Sequence, residues 1–161
     1  MSGPMHGRAL TMRPGGPLFA ALLMLAAPAL ATGGDLRSVA AMKRHNRVLL
    51  VFAPSIRDPR LEAQRRDFAR FGADAAERDL VLVQVADGTV IGARDKADKL
   101  RKTYHTLGSG YRTLLIGKDG NVVLDEGAPI DATRLTRTID AMPMRQDEMR
   151  RQSAAQGKVG G

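Results

Sequence analysis

The chain has 161 residues, 25 Lys and Arg against 17 Asp and Glu, a formal charge of +8 and no cysteine. The missing thiol excludes thiol peroxidase, disulfide oxidoreductase and cysteine hydrolase chemistry, each of which needs a thiolate nucleophile, and it leaves packing alone to stabilise the fold. Aromatic residues make up only 4%, too few for the stacking platforms of a nucleic-acid reader, so the basic character reads as an Arg-rich solvated surface with no specific nucleic-acid partner.

Residues 1–31 carry the three parts of a secretory signal: Arg8 and Arg13 without an acidic residue, an apolar run from Leu18 to Leu30, and Ala29-Leu30-Ala31 as the cleavage site. The apolar run has 13 residues and contains Pro28, whereas a membrane-spanning helix needs about 20; no span is expected after cleavage. A lipoprotein would need a cysteine there, and none exists. A start at Met5 or Met12 shortens the charged region without touching the apolar run. The expected product is a periplasmic or secreted chain beginning at Thr32, its 130 residues keeping a charge of +6 because the removed part holds two arginines and no acid. That length suits one domain.

Leu36, Val39 and Ala40 predict a short helix over Asp35–His45. Arg47–Phe52 (RVLLVF) reads as a strand covered on both faces. Asp58 followed by Pro59 is an N-cap with proline at the first helical position, and it opens a helix carrying Leu61, Phe68 and Phe71. Gly72 offers a stop, with a possible further turn through Glu77. Leu80–Val85 (LVLVQV) repeats the buried-strand pattern and completes a βαβ unit with parallel strands. Residues 86–93 read as a loop, and Leu100, Tyr104 and Leu107 predict a surface helix over Asp95–Leu107 ended by Gly108-Ser109-Gly110. Tyr111–Ile116 and Asn121–Leu124 predict an antiparallel hairpin turning at Gly117-Lys118-Asp119-Gly120. Asp131 caps a last helix with an apolar stripe of Leu135, Ile139 and Met142, and Pro143 argues against its continuation. The domain is thus expected over 32–143, with a charged tail over 144–161 that frays.

This order of elements matches the thioredoxin-like architecture, an α/β fold of three α/β/α layers around a mixed sheet, with βαβ followed by ββα. The texts LLVFAPSIRDPRLEAQRRDF, ERDLVLVQV, LLIGKDGNVVL and IDAMPMRQDEMR together resemble the peroxiredoxin-like domain-of-unknown-function family called P-DUDES, over roughly Leu36 to Arg150. The resemblance implies an exported thioredoxin-like (peroxiredoxin-like) domain and no assigned activity. Redox-active thioredoxins carry CxxC where Ser55-Ile56-Arg57-Asp58 stands here, and a cis-proline where Arg112 stands. Both halves of the redox site are therefore missing.

On such a fold, Ser55, Arg57, Arg60 and Arg112 would share a neighbourhood beside a helix N-terminus, where a carboxylate, phosphate or sulfate could be held. Two readings stay open: a binding or interaction module, whose partner is a protein or a small anionic ligand of the cell envelope, and an enzyme of thiol-independent chemistry at Ser55 and Arg112. No G-x-S-x-G surrounds Ser55, and His45 and His105 lack a pairing that would suggest a triad or a metal. No cofactor is expected. Met142 reads as core, and Met144 as open to a docking role.

Overall fold

A computed structural model describes residues 36–106 and 110–157. The predicted signal segment, the Gly108-Ser109 stop and the final four residues lie outside the described residues. Five strands form one sheet in the order β3-β2-β1-β4-β5: β1 Arg47–Phe52, β2 Leu80–Ala86, β3 Thr89–Ile91, β4 Arg112–Ile116 and β5 Val122–Glu126. β1 and β2 run parallel, Arg47 opposite Leu80; β4 runs antiparallel to β1, Phe52 opposite Arg112, and β5 antiparallel to β4. β1 and β2 are joined by the helix α2, Pro59–Glu77. A βαβ unit followed by a ββα unit, with β1 central, is the thioredoxin-like α/β fold.

The layers follow from the period of two along a strand. Every residue of β1 is buried, but its side chains alternate between two cores. Leu49 and Val51 join Leu61 and Phe71 of α2 and Leu135 and Ile139 of α4 (Ala132–Asp140). Val48, Leu50 and Phe52 join Val39 and Met42 of α1 (Val39–Met42) and Ala97 and Leu100 of α3 (Ala97–Thr103). A strand sandwiched this way reads as an uninterrupted apolar run, which is why RVLLVF was legible.

The structure corrects three expectations. The first helix is one turn, capped by Ser38, and Asp95 accepts from the Val39 N–H at 2.7 Å instead of starting α3. In α2 the further turn through Glu77 that the sequence allowed is present, and Gly72 kinks the helix there with non-helical torsions. The loop over 86–93 contains β3, folded back on β2 through Asp87 and Gly88, both at positive φ. The chain after Pro143 is not frayed: Pro143–Gly157 forms a helix, α5, with Arg145 only 1% exposed. Proline opens this helix, where its missing N–H is harmless.

Candidate functional site

The four residues singled out from the sequence gather at the end of the sheet where β1 and β2 finish. Ser55 follows β1, Arg57 and Arg60 flank the start of α2, and Arg112 opens β4 opposite Phe52. Their donors are largely taken by carboxylates of the chain itself. The Ser55 hydroxyl and the Ile56 N–H both donate to Asp87 Oδ2, at 3.1 and 2.7 Å, and the Arg57 N–H donates to Ser55 Oγ at 3.2 Å. Asp58 caps α2 through the Arg60 N–H at 2.9 Å and pairs with the Arg60 guanidinium at 2.7 Å; that hydrogen bond holds the Asp58 carboxyl below the usual carboxylate range.

Arg60 also lies 4.7 Å over the ring of Tyr111. The Tyr111 hydroxyl accepts from Thr113 Oγ1 at 3.1 Å, and burial pushes its pKa up. Arg112 forks onto Asp125, donating from Nε at 2.6 Å, and its Nη1 reaches the Tyr104 carbonyl at 2.9 Å. Asp125 is held low by that guanidinium. Arg57 is exposed, and its guanidinium has no ion-pair partner among the described residues. His45 and His105 are both exposed; neither is a hydrogen-bond partner of Ser55. Among the described residues, no three His, Asp or Glu side chains come together in a way that could hold a metal ion.

Asp87 is thus the residue that closes this turn, and sequence reading passed it over as loop. It sits at φ 48°, a conformation that Asp tolerates and glycine adopts freely. Asp87→Gly therefore removes the carboxylate without straining the backbone. The expected result is a loss of about 1 kcal/mol, since these hydrogen bonds are exposed, together with faster amide exchange at Ile56. Unchanged exchange at Ile56 would show that the carboxylate does not hold the turn.

A second constellation occupies the opposite end of the sheet. Arg47, at the head of β1, is fully buried; its Nη1 donates to the Arg78 carbonyl at 2.8 Å and to Glu148 Oε2 of α5 at 3.2 Å. Lys118, in the β4–β5 turn, donates to Asp79 Oδ2 and to Glu148 Oε1, each at 2.7 Å. Arg145 bonds Glu77 and lies 3.9 Å from Glu148, and Arg78 forks onto Asp140 at 3.0 and 2.8 Å. Burial raises Glu148, but hydrogen bonds from Lys118 and Arg47 outweigh it and hold the carboxyl low.

Beside this network, between the β4–β5 turn and the corner joining α4 to α5, lies a cavity of ≈ 500 Å³ whose lining includes Arg47, Lys118, Val123, Met142, Pro143 and Met144. The sequence signal for it was a charged residue directly heading a fully buried strand, a costly placement unless the charge is paired.

The strand order and directions define a thioredoxin-like α/β domain. The chain belongs to the family described as Domain of unknown function (DUF4174), whose model matches residues 38–148, a span that includes the α5 anchors Arg145 and Glu148. Among solved structures it is similar to the pneumococcal exposed lipoprotein thioredoxin (Etrx1) of Streptococcus pneumoniae strain TIGR4, at 18% identity and TM-score 0.47, over 68% of this chain and 98% of that one. It is also similar to StoA of Bacillus subtilis, at 17% identity and TM-score 0.44, over 58% and 81%. The fold class rests on strand order and direction, not on these likenesses. No curated protein matches the chain. No helix among the described residues is long and apolar enough to cross a membrane.

Proposed function

We propose that this protein is an exported, non-redox binding module of the P-DUDES type, which holds its partner or ligand through non-covalent contacts. The observation that carries the reading is the Ser55–Asp58 turn. Where redox thioredoxins carry their thiols, this chain has no sulfur, and the hydroxyl and N–H groups present are tied to Asp87 and Asp58. Ser55 donates to a carboxylate with no imidazole behind it, so it lacks the base that would make it a nucleophile. This speaks against the enzyme reading. An anion arriving at Ser55, Arg57, Arg60 and Arg112 must compete with Asp87, Asp58 and Asp125, which leaves Arg57 as the cation with spare charge. Export is supported by the three-part segment over residues 1–31.

The test is crosslinking and affinity capture of the tagged protein in a bacterial cell envelope, with mass spectrometry of its N-terminus. The expected results are a chain beginning at Thr32 and a specific partner or ligand retained with or without reductant. An uncleaved chain overturns export, and the absence of any specific partner or ligand overturns the module.

A further inference from the structure

We propose that the cavity at the α4–α5 corner binds an amphipathic monoanion, a medium-chain aliphatic carboxylate, with its head group at Lys118 and its hydrocarbon chain between Val123, Met142 and Met144. The assignment deepens the binding-module reading and rests on it.

The walls come first. Folding leaves Val123 44% and Met144 42% exposed at this corner, with Met142 half-buried against the core beside them. Two methionines and a valine around a concavity of ≈ 500 Å³ give an apolar surface that adapts to an unbranched chain, in the size range of small-molecule sites, roughly 300–1,000 Å³.

The floor supplies the head-group chemistry. Lys118 is only 8% exposed, and its ammonium carries three protons, of which Asp79 and Glu148 take two. One donor remains. Behind it, Arg47 is fully buried and its Nε is the buried side-chain polar atom that has no hydrogen-bond partner among the described residues.

Charge decides the sign of the ligand. The wider network is balanced, with Arg47, Arg78, Lys118 and Arg145 facing Glu77, Asp79, Asp140 and Glu148. Of the charged side chains that line the cavity itself, two are cations, Arg47 and Lys118, and one is an anion, Asp119, while the ion-pair partners of the two cations, Glu148 and Asp79, do not line it. The Asp119 oxygens are in turn engaged by the Asn121 N–H at 3.0 Å and its side-chain amide at 2.8 Å. With one spare ammonium proton at Lys118, and the orphaned Arg47 N–H buried out of a ligand's direct reach, the floor suits a carboxylate better than a phosphate dianion, which needs more donors.

The experiment uses sodium decanoate, below its micellar range, titrated into the purified protein with carbon-13 methionine methyl groups. Saturable shifts are expected at Met142 and Met144 and not at Met42, which lies in the other core. The neutral analogue 1-decanol is expected to bind about tenfold more weakly, because it cannot use the charged donor. Lys118→Met should abolish that preference. Met144→Asp, at an exposed rim position, should weaken decanoate about tenfold through like-charge repulsion.

Equal binding of decanoate and decanol, shifts spread over all methionines, or no saturation would overturn the proposal. A specific envelope partner captured by a protein that ignores decanoate removes the cavity assignment and leaves the module reading standing; absence of both removes both.

Discussion

Glu148→Gln is expected to destabilise the protein by about 2–3 kcal/mol, below the cost of breaking a fully buried ion pair because the Glu148 carboxylate is only partly buried, and to lower its melting temperature by roughly 6–12 °C. The reason lies in how α5 is held. Its sequence has no apolar stripe to bury, and within it only Arg145 is buried. What docks it is charge: Glu148 accepts from Arg47 and Lys118 and sits beside Arg145. Neutralising Glu148 leaves Arg47 fully buried with no anionic partner among the described residues and with its Nε already unpaired. The penalty is therefore that of a stranded charge, which exceeds the small worth of a surface pair, about 0–1 kcal/mol.

Adding Arg47→Met to the Glu148→Gln protein should restore much of the loss, because an apolar side chain of similar length in that place is close to neutral. If the double variant is no more stable than the single one, stranding of Arg47 is not the cause.

The same residue sets a pH limb. Glu148 and Asp140 are each raised by burial and lowered further by their cations, Lys118 and Arg47 for Glu148 and Arg78 for Asp140, with a net displacement below the ordinary value. A carboxyl held low contributes stability that is complete above its unfolded pKa, 4.5 for a glutamate, and is lost as pH falls through the folded value. Stability should thus hold near neutrality and decline below about pH 4.5, with a shallower decline in Glu148→Gln. Identical acid limbs would assign the loss to other carboxyls.

How much of this was legible in the sequence depended on where each signal resides. β1, β2 and β4 are apolar runs buried on both faces, and such runs declare themselves. β3 is three residues long and exists only because β2 pairs with it; its readable trace was Asp87-Gly88, a hairpin dipeptide with both residues at positive φ. α5 was missed because its charges look solvated from sequence, whereas Glu148 meets Arg47 from 101 residues away.

The candidate site divides in the same manner. Strand-end logic brought Ser55, Arg57, Arg60 and Arg112 to one end of the sheet. It could not show that Asp87 and Asp125, distant by 32 and 13 residues from Ser55 and Arg112, had already engaged two of them. The cavity at the other end was not foreseen, although Met144 in its lining was read as open to docking, and its cationic floor was hidden in the first letter of RVLLVF.

Gln64 shows the limit of pattern reading most clearly, and its replacement by leucine is the second large effect expected. It stands among polar residues of α2, where a glutamine reads as solvated surface, yet it is fully buried. Its Nε2 donates to the Ile130 carbonyl at 3.0 Å, and its Oε1 accepts from the Ile130 N–H at 2.8 Å, so one side chain satisfies both backbone groups of a buried residue. Ile130 directly precedes Asp131, the N-cap of α4, and α4 carries Leu135 and Ile139 into the core and Thr138 into the cavity wall. Gln64→Leu keeps the volume and removes a buried amide, a gain on the order of 1–2 kcal/mol. It also orphans two buried backbone groups at about 1–3 kcal/mol each. The second effect wins, for a net loss of about 2–3 kcal/mol by denaturant unfolding, with amide exchange accelerated at Ile130 and through the first turn of α4. A neutral Gln64→Leu with Ile130 still protected would mean that this segment is held by α4 packing and not by the Gln64 amide.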